Sequence, residues 1–165
     1  MRHRVMAVVG PGDSSAASVL ADAGQVGRLA AESGWVVMTG GRPAGVMEAA
    51  LEGARGANGL TVAVIPGDHP DEASPFADFV VASGSGEGRN NLIVLSADVI
   101  VACGMNPGTA SEVSLALRHG RPVILVAPAA ETRGFFERLD TGGRLHIAAT
   151  PADAVALAKR LGWDG

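Results

Sequence analysis

Val99-Ile100-Val101-Ala102-Cys103-Gly104-Met105-Asn106-Pro107-Gly108-Thr109-Ala110-Ser111-Glu112 is the stretch on which the fold turns. Five apolar residues run into a glycine-containing turn and then into an amphipathic segment, Val113 to Leu117. That order is strand, turn, helix N-terminus. The first amides of a helix have no partner inside it and lie at its positive dipole end, where anions are favoured. Small residues at Gly108, Ala110 and Ser111 let a phosphate approach the backbone, and Glu112 stands one turn inside that position. A phosphate cradle beside a carboxylate points to a nucleotide-like ligand and raises the question of its hydrolysis.

The same alternation extends along the chain. Val5 to Val9 reads as a first strand, and Ala16, Val19, Leu20, Ala23, Val26, Gly27 and Ala30 recur at helical spacing behind it. Trp35 to Met38 is a second strand, followed by a helical stripe of Val46, Ala49, Ala50, Gly53 and Ala54 that Asn58-Gly59 stops. Leu60 to Ile65 is a third strand, with a short one at Phe79 to Val81 and a short helix from Arg89 to Leu95. Asp98 to Ala102 and Pro122 to Val126 are apolar throughout, as strands covered on both faces are. Thr150-Pro151 opens a last helix whose face is Ala154, Leu157, Ala158 and Leu161. Strands alternating with helices predict an α/β fold: a single doubly wound domain with a mainly parallel sheet, spanning 1–165. Ligands of such sheets bind beyond the strands' carboxyl ends, where the turns Gly10 to Ser15, Gly40 to Gly45, Gly84 to Gly88 and Gly104 to Thr109 fall.

Composition narrows the partners. Of 165 residues, 47% are hydrophobic and only 18% charged, which fits a packed core and excludes a disordered chain. A net charge of −4 with one lysine, Lys159, and scattered arginines argues against a nucleic-acid backbone as partner. The lone cysteine, Cys103, forms no intrachain disulfide and fits a reducing cytosol. No apolar run approaches the ~20 residues of a membrane span. The expectation is a cytoplasmic protein with no membrane or nucleic-acid partner.

Several motifs have a bland reading beside the functional one. Gly10-Pro11-Gly12 lacks the third glycine of a dinucleotide fingerprint, and the second strand ends in Met38-Thr39-Gly40 instead of a ribose-binding acid. No lysine stands where a P-loop needs one, and no serine occupies a nucleophile elbow. His3, His69, His119 and His146 have no metal-ligand spacing, so no metal site is expected. Thr109-Ala110-Ser111-Glu112 matches a capping box, in which Glu112 merely returns a hydrogen bond to the turn. Capping and catalysis stand open at Glu112. Arg89 is either a solvated helix-start residue or an anion ligand, Asp98 pairs locally, Asp13 with Ser14 and Ser15 caps the first helix, and Cys103 packs.

Two segments together carry a resemblance. Thr39-Gly40-Gly41-Arg42-Pro43-Ala44-Gly45-Val46-Met47, followed by Pro66-Gly67, resembles the G-G-x-x-x-G-x-M signature of a Rossmann-like superfamily. That superfamily holds the Lonely Guy phosphoribohydrolases, once misnamed lysine decarboxylases, and the molybdenum-cofactor carriers. Gly88-Arg89-Asn90 and Gly108-Thr109-x-x-Glu112 resemble its second half, and Arg-Asn before Ser96 to Ile100 is more similar to the carrier branch. The resemblance implies a Rossmann-like fold and a homodimer or larger homo-oligomer. It also implies a bound phosphorylated ligand, a nucleotide or molybdenum cofactor, with no further cofactor required. In the enzymes the matching arginine and glutamate, here Arg89 and Glu112, act on the N-glycosidic bond of a nucleoside 5′-monophosphate. This chain departs from the pattern at Met105 and Asn106, which replace glycines.

The expected site is therefore Arg89 and Glu112 as chemical groups, with Gly40, Gly41, Gly45, Asn106, Gly108 and Thr109 around the ligand. A carrier-like binder leads, a phosphoribohydrolase is the alternative, and a nucleotide-sensing interaction module is a third class. Release of ribose 5-phosphate separates the enzyme from both binders.

Overall fold

The computed structural model describes residues 2–13 and 16–161. Seven strands and six α-helices follow one another among these residues: β1 (Val5–Val9), α1 (Ala17–Glu32), β2 (Val36–Thr39), α2 (Gly45–Gly56), β3 (Thr61–Ile65), β4 (Phe79–Ala82), α3 (Arg89–Ser96), β5 (Val99–Cys103), α4 (Pro107–Arg118), β6 (Val123–Val126), α5 (Ala130–Leu139), β7 (Leu145–Ala148) and α6 (Pro151–Leu161). They form one sheet in the order β4-β3-β2-β1-β5-β6-β7, every neighbouring pair parallel. The chain steps outward from β1 to β4, then returns to β5 and steps outward the other way. The loops after β1 and β5 thus diverge, which leaves a crevice between them.

The sheet is buried on both faces. One layer joins Met6, Val8, Val37 and Val101 to α1, α2 and α6 through Val26, Ala50 and Ala158. The other joins Ala7, Val9, Ile100 and Leu125 to α3, α4 and α5 through Ile93, Val113 and Phe136. Alternate residues of one strand therefore serve opposite layers, so β1 and β5 are apolar at every position. Helices α1 and α2 meet backbone to backbone. A Cβ at Gly27 would run into the Ala50 carbonyl, and one at Gly53 into the Gly24 carbonyl. Helix α2 stops at Ala57, where Asn58 takes φ 57° and the Gly59 amide donates to the Ala54 carbonyl at 2.9 Å. That is the left-handed stop expected of Asn58-Gly59.

Four expectations need correction. Strand β2 runs Val36–Thr39, one residue later than expected, because Trp35 lies in the turn out of α1, its amide bonded to the Ala30 carbonyl. Helix α5 and strand β7 were not foreseen: α5 buries only Phe136 and β7 is a half-buried edge, so neither carries a clear apolar period. Helix α1 starts at Ala17 behind Ala16, with no side-chain cap. Asp13 makes no hydrogen bond among the described residues, and Ser14 and Ser15 lie outside them. Asp98 does pair, but with distant groups: it accepts from the Val5 amide at 2.8 Å and binds the Arg2 guanidinium.

Candidate functional site

A fifth correction falls at the site itself. Helix α4 begins at Pro107, whose fixed φ suits the first helical position, and its N-cap is Asn106. The Asn106 Oδ1 accepts from the Thr109 amide at 2.8 Å and from the Thr109 hydroxyl at 2.9 Å. The Ala110 amide already donates to the Asn106 carbonyl at 2.8 Å. The expected capping box from Thr109 to Glu112 is therefore absent, because a better cap lies three residues earlier. The anion cradle expected at residues 108 to 110 contracts to one amide, that of Gly108, which has no acceptor among the described residues.

Relieved of a capping role, Glu112 sits one turn further in, 8% exposed, and its carboxyl makes no hydrogen bond with any described residue. Burial pushes its carboxyl up from the ordinary value of 4.5 to about 7; Arg89 opposes that shift and Glu87 adds to it. At neutral pH the group is poised between acid and base.

Arg89 opens α3 and is equally enclosed, 5% exposed. Its Nε donates to the Gly40 carbonyl at 3.4 Å and its Nη1 to Asn90 Oδ1 at 3.1 Å, while Glu87 lies 3.8 Å away. These are weak partners for a buried cation. Desolvation lowers its pKa from the ordinary arginine value, opposed by Glu87 and Glu112. Asn90 ties the two halves together: its Nδ2 donates to Ser111 Oγ at 2.8 Å, and that hydroxyl donates to the Gly108 carbonyl at 2.8 Å. The turns before α3 and α4 thus lie side by side.

Between them, at the carboxyl ends of β1, β2 and β5, is a cleft of about 630 Å³. Gly40, Arg89, Asn106, Gly108, Thr109 and Glu112 all line it. Gly41 and Gly45 do not. Gly41 is buried against Ala63 and Ile65, and Gly45 starts α2 with φ 58° where a Cβ would meet the Pro11 carbonyl. Both shape the loop and stand behind the wall. Gly40 is different, since a Cβ there would come 2.9 Å from Arg89 Nη2 and displace the guanidinium. Gly108 is different again: its Cβ would meet only Asn106 Oδ1 at 3.5 Å, an ordinary contact, so nothing in the protein demands glycine there.

The expected site left out Met47, Glu87 and Ser111, which also line the cleft, although Met47 and Ser111 stood in the motifs quoted. Glu87, 72% exposed by side chain, bridges Arg42 at 3.7 Å and Arg89 at 3.8 Å; its place in Gly84-Ser85-Gly86-Glu87-Gly88 was the available signal. Cys103 is buried packing, its thiol pushed up to about 12 by burial. Among the described residues, no group of three or more His, Cys, Asp or Glu could hold a metal ion, and no helix is long and apolar enough to cross a membrane.

Comparison with known proteins places these features. The model of the SLOG cluster4 family matches residues 3–155. An uncharacterized protein of Archaeoglobus fulgidus is 37% identical over 131 residues, 79% of each chain. The solved structure of a molybdenum cofactor binding protein from Rippkaea orientalis is 41% identical with a TM-score of 0.94, covering 97% of this chain and 98% of the other. A Moco carrier protein of Chlamydomonas reinhardtii is 41% identical with a TM-score of 0.90, covering 98% of both chains.

Proposed function

The chain belongs to the SLOG cluster4 family, and from that premise we propose that it is a carrier that binds a phosphorylated, nucleotide-like cofactor of the molybdenum-cofactor type in the cleft between Arg89 and α4. The observation that carries this reading is Arg89. A guanidinium with 5% exposure, a 3.4 Å bond and a 3.8 Å ion pair is under-satisfied for a buried charge, and its Nη2 has no acceptor among the described residues. A phosphate in the cleft supplies the missing acceptor, and charge-assisted bonds of this kind are among the stronger ones available. The free Gly108 amide and the bare Gly108 Cα give that phosphate a second contact at a helix N-terminus. The likeness to a molybdenum cofactor binding protein and a Moco carrier protein, each at 41% identity, supports the ligand class. Arg89, Asn106 and Gly108 would hold the phosphate, and the cofactor would bring its own metal chemistry as cargo.

The test is co-purification. Protein produced in cells that make the cofactor should retain molybdenum, measured by plasma mass spectrometry, and Arg89→Ala should lose most of it. Equal molybdenum on parent and variant removes Arg89 from the site; none on the parent refutes the carrier reading.

Glu112 favours a second reading, N-glycosidic hydrolysis of a nucleoside 5′-monophosphate. A carboxyl held near pH 7 inside the cleft can stabilise the developing oxocarbenium charge or move a proton to and from water. Release of ribose 5-phosphate from any nucleoside monophosphate, abolished in Glu112→Gln, would establish it.

A further inference from the structure

The cleft does not end at Asn106. Asp13 and Asn106 also wall a smaller hollow of about 350 Å³. Val19, Gly104 and Met105 of that hollow in turn wall a third, of about 410 Å³, at the ends of β5 and β6. The three follow one another along the carboxyl rim, across the point where the strand order reverses, and they differ in chemistry. The first holds the cation, the carboxyl and the free amide. The third is walled by Val19, Met105, Leu125, Val126 and Pro128, with Asp22 and Thr132 as polar groups among them. Neither the Asp22 nor the Thr132 side chain makes a hydrogen bond with any described residue, so both, with Ser18 beside them in the wall, are available to a ligand. Ala127, also in this wall, has φ 43°, a conformation alanine seldom adopts and one that gathers at ligand sites.

We propose that this third hollow is the ring compartment of the site. It takes a flat 2-amino-4-oxopyrimidine ring, of pterin or guanine type, with Asp22 accepting the ring's adjacent N–H donors while the phosphate lies at the Arg89 end. The inference rests on the cofactor reading of the cleft and adds which part of the molecule goes where. A carboxylate has two acceptor oxygens and matches two neighbouring N–H groups side by side, as it matches a guanidinium fork. An adenine edge sets an acceptor nitrogen beside its amino group and mismatches. The apolar walls bury the ring faces, and a volume of about 410 Å³ is ample for a bicyclic ring. Met105, which also packs against the apolar layer of α3, α4 and α5, lines the compartment where the resemblance leads one to expect glycine, and it offers the ring a soft, polarisable contact.

The experiment titrates the protein with 6-hydroxymethylpterin, guanosine and adenosine by fluorescence or calorimetry, and separately with ribose 5-phosphate. At least one of the first two should bind saturably and adenosine should not; the tighter of the pair identifies the ring as pterin or guanine. Asp22→Asn should weaken ring binding at least about tenfold, and Thr132→Trp, which fills the hollow from the other side, should abolish it. Arg89→Ala should leave ring affinity within about twofold of the parent. The ring compartment is overturned if neither ring binds, if Asp22→Asn binds as the parent does, or if only Arg89→Ala loses the ring. Ribose 5-phosphate has no base, so its affinity should fall in Arg89→Ala and hold in Asp22→Asn. Retained sugar-phosphate binding with no ring binding refutes the compartment alone, and the converse refutes the phosphate reading alone.

Discussion

Replacing Glu112 by glutamine should stabilise the ligand-free protein by about 3 kcal/mol at pH 8 and by under about 1 kcal/mol at pH 5. The carboxyl is 8% exposed without a hydrogen bond to any described residue, and its folded value of about 7 lies well above the 4.5 of an unfolded glutamate. The folded state therefore holds a proton that the unfolded state has released between those two values. Stability falls as pH rises through that window, because the pKa is raised on folding. The arithmetic is 7 minus 4.5, about 2.5 units, and at 1.36 kcal/mol per unit the penalty above pH 7 is about 3 kcal/mol. Glutamine is neutral throughout and escapes it. Urea unfolding of parent and variant at pH 5 and pH 8 reads this directly: for a slope of about 2 kcal/mol per M, the variant's midpoint should rise about 1.5 M at pH 8. An equal gain at both pH values would mean that packing and not ionisation sets the difference. No gain at pH 8 would mean that the carboxylate is better solvated in the cleft than its burial implies.

Three other outcomes follow from the same geometry. Gly108→Ala should leave stability unchanged or raise it by up to about 1 kcal/mol, since alanine suits a helix better, yet weaken the phosphorylated ligand; thermal melts with ligand titration check both, and undiminished binding would show that the ligand never approaches that backbone. Arg89→Ala should weaken ribose 5-phosphate about tenfold to a hundredfold, the loss of a charged hydrogen bond, and calorimetry showing equal affinity would remove it from the site. The homo-oligomer implied by the resemblance should form on the side of β4 and α3 where Phe79, Val81, Leu92 and Leu95 are exposed. Light scattering should then give at least a dimer mass, and the Phe79→Asp, Leu92→Asp double variant a monomer; a monomeric parent refutes it.

Most of the fold was legible because burial on two faces leaves a strong trace. A strand such as Val99–Cys103 must be apolar at every position, and a helix such as α2 must repeat small apolar residues at three and four. Helix α5 was illegible for the complementary reason: it is ten residues long with only Phe135, Phe136 and Leu139 on its apolar arc, and of these only Phe136 is buried. At the site, Arg89 and Glu112 were identified from their motifs, and the structure sets both on one cleft. The sequence left Glu112 open between cap and chemistry because T-x-x-E is compatible with a capping box without being sufficient for one. Asn106-Pro107 carried the stronger signal, an amide cap followed by a residue that cannot donate. The third hollow had no signature in the sequence at all, since Asp22, Met105 and Thr132 come from three separate elements.

At Gly27 and Gly53, helices α1 and α2 touch through main chain, with no side chain at those points to yield. A layer built this way has no slack: a methyl group at Gly27 or Gly53 must move a whole helix, not a rotamer. Helix α2 begins at Gly45, whose approach to Pro11 locks the loop after β1 to the loop after β2. Any wedge between the two helices is therefore delivered to the rim as a tilt of one bank of the cleft against the other. Residues that never meet the ligand, on the far side of the sheet from Glu112, in this way set the width of the opening it must enter.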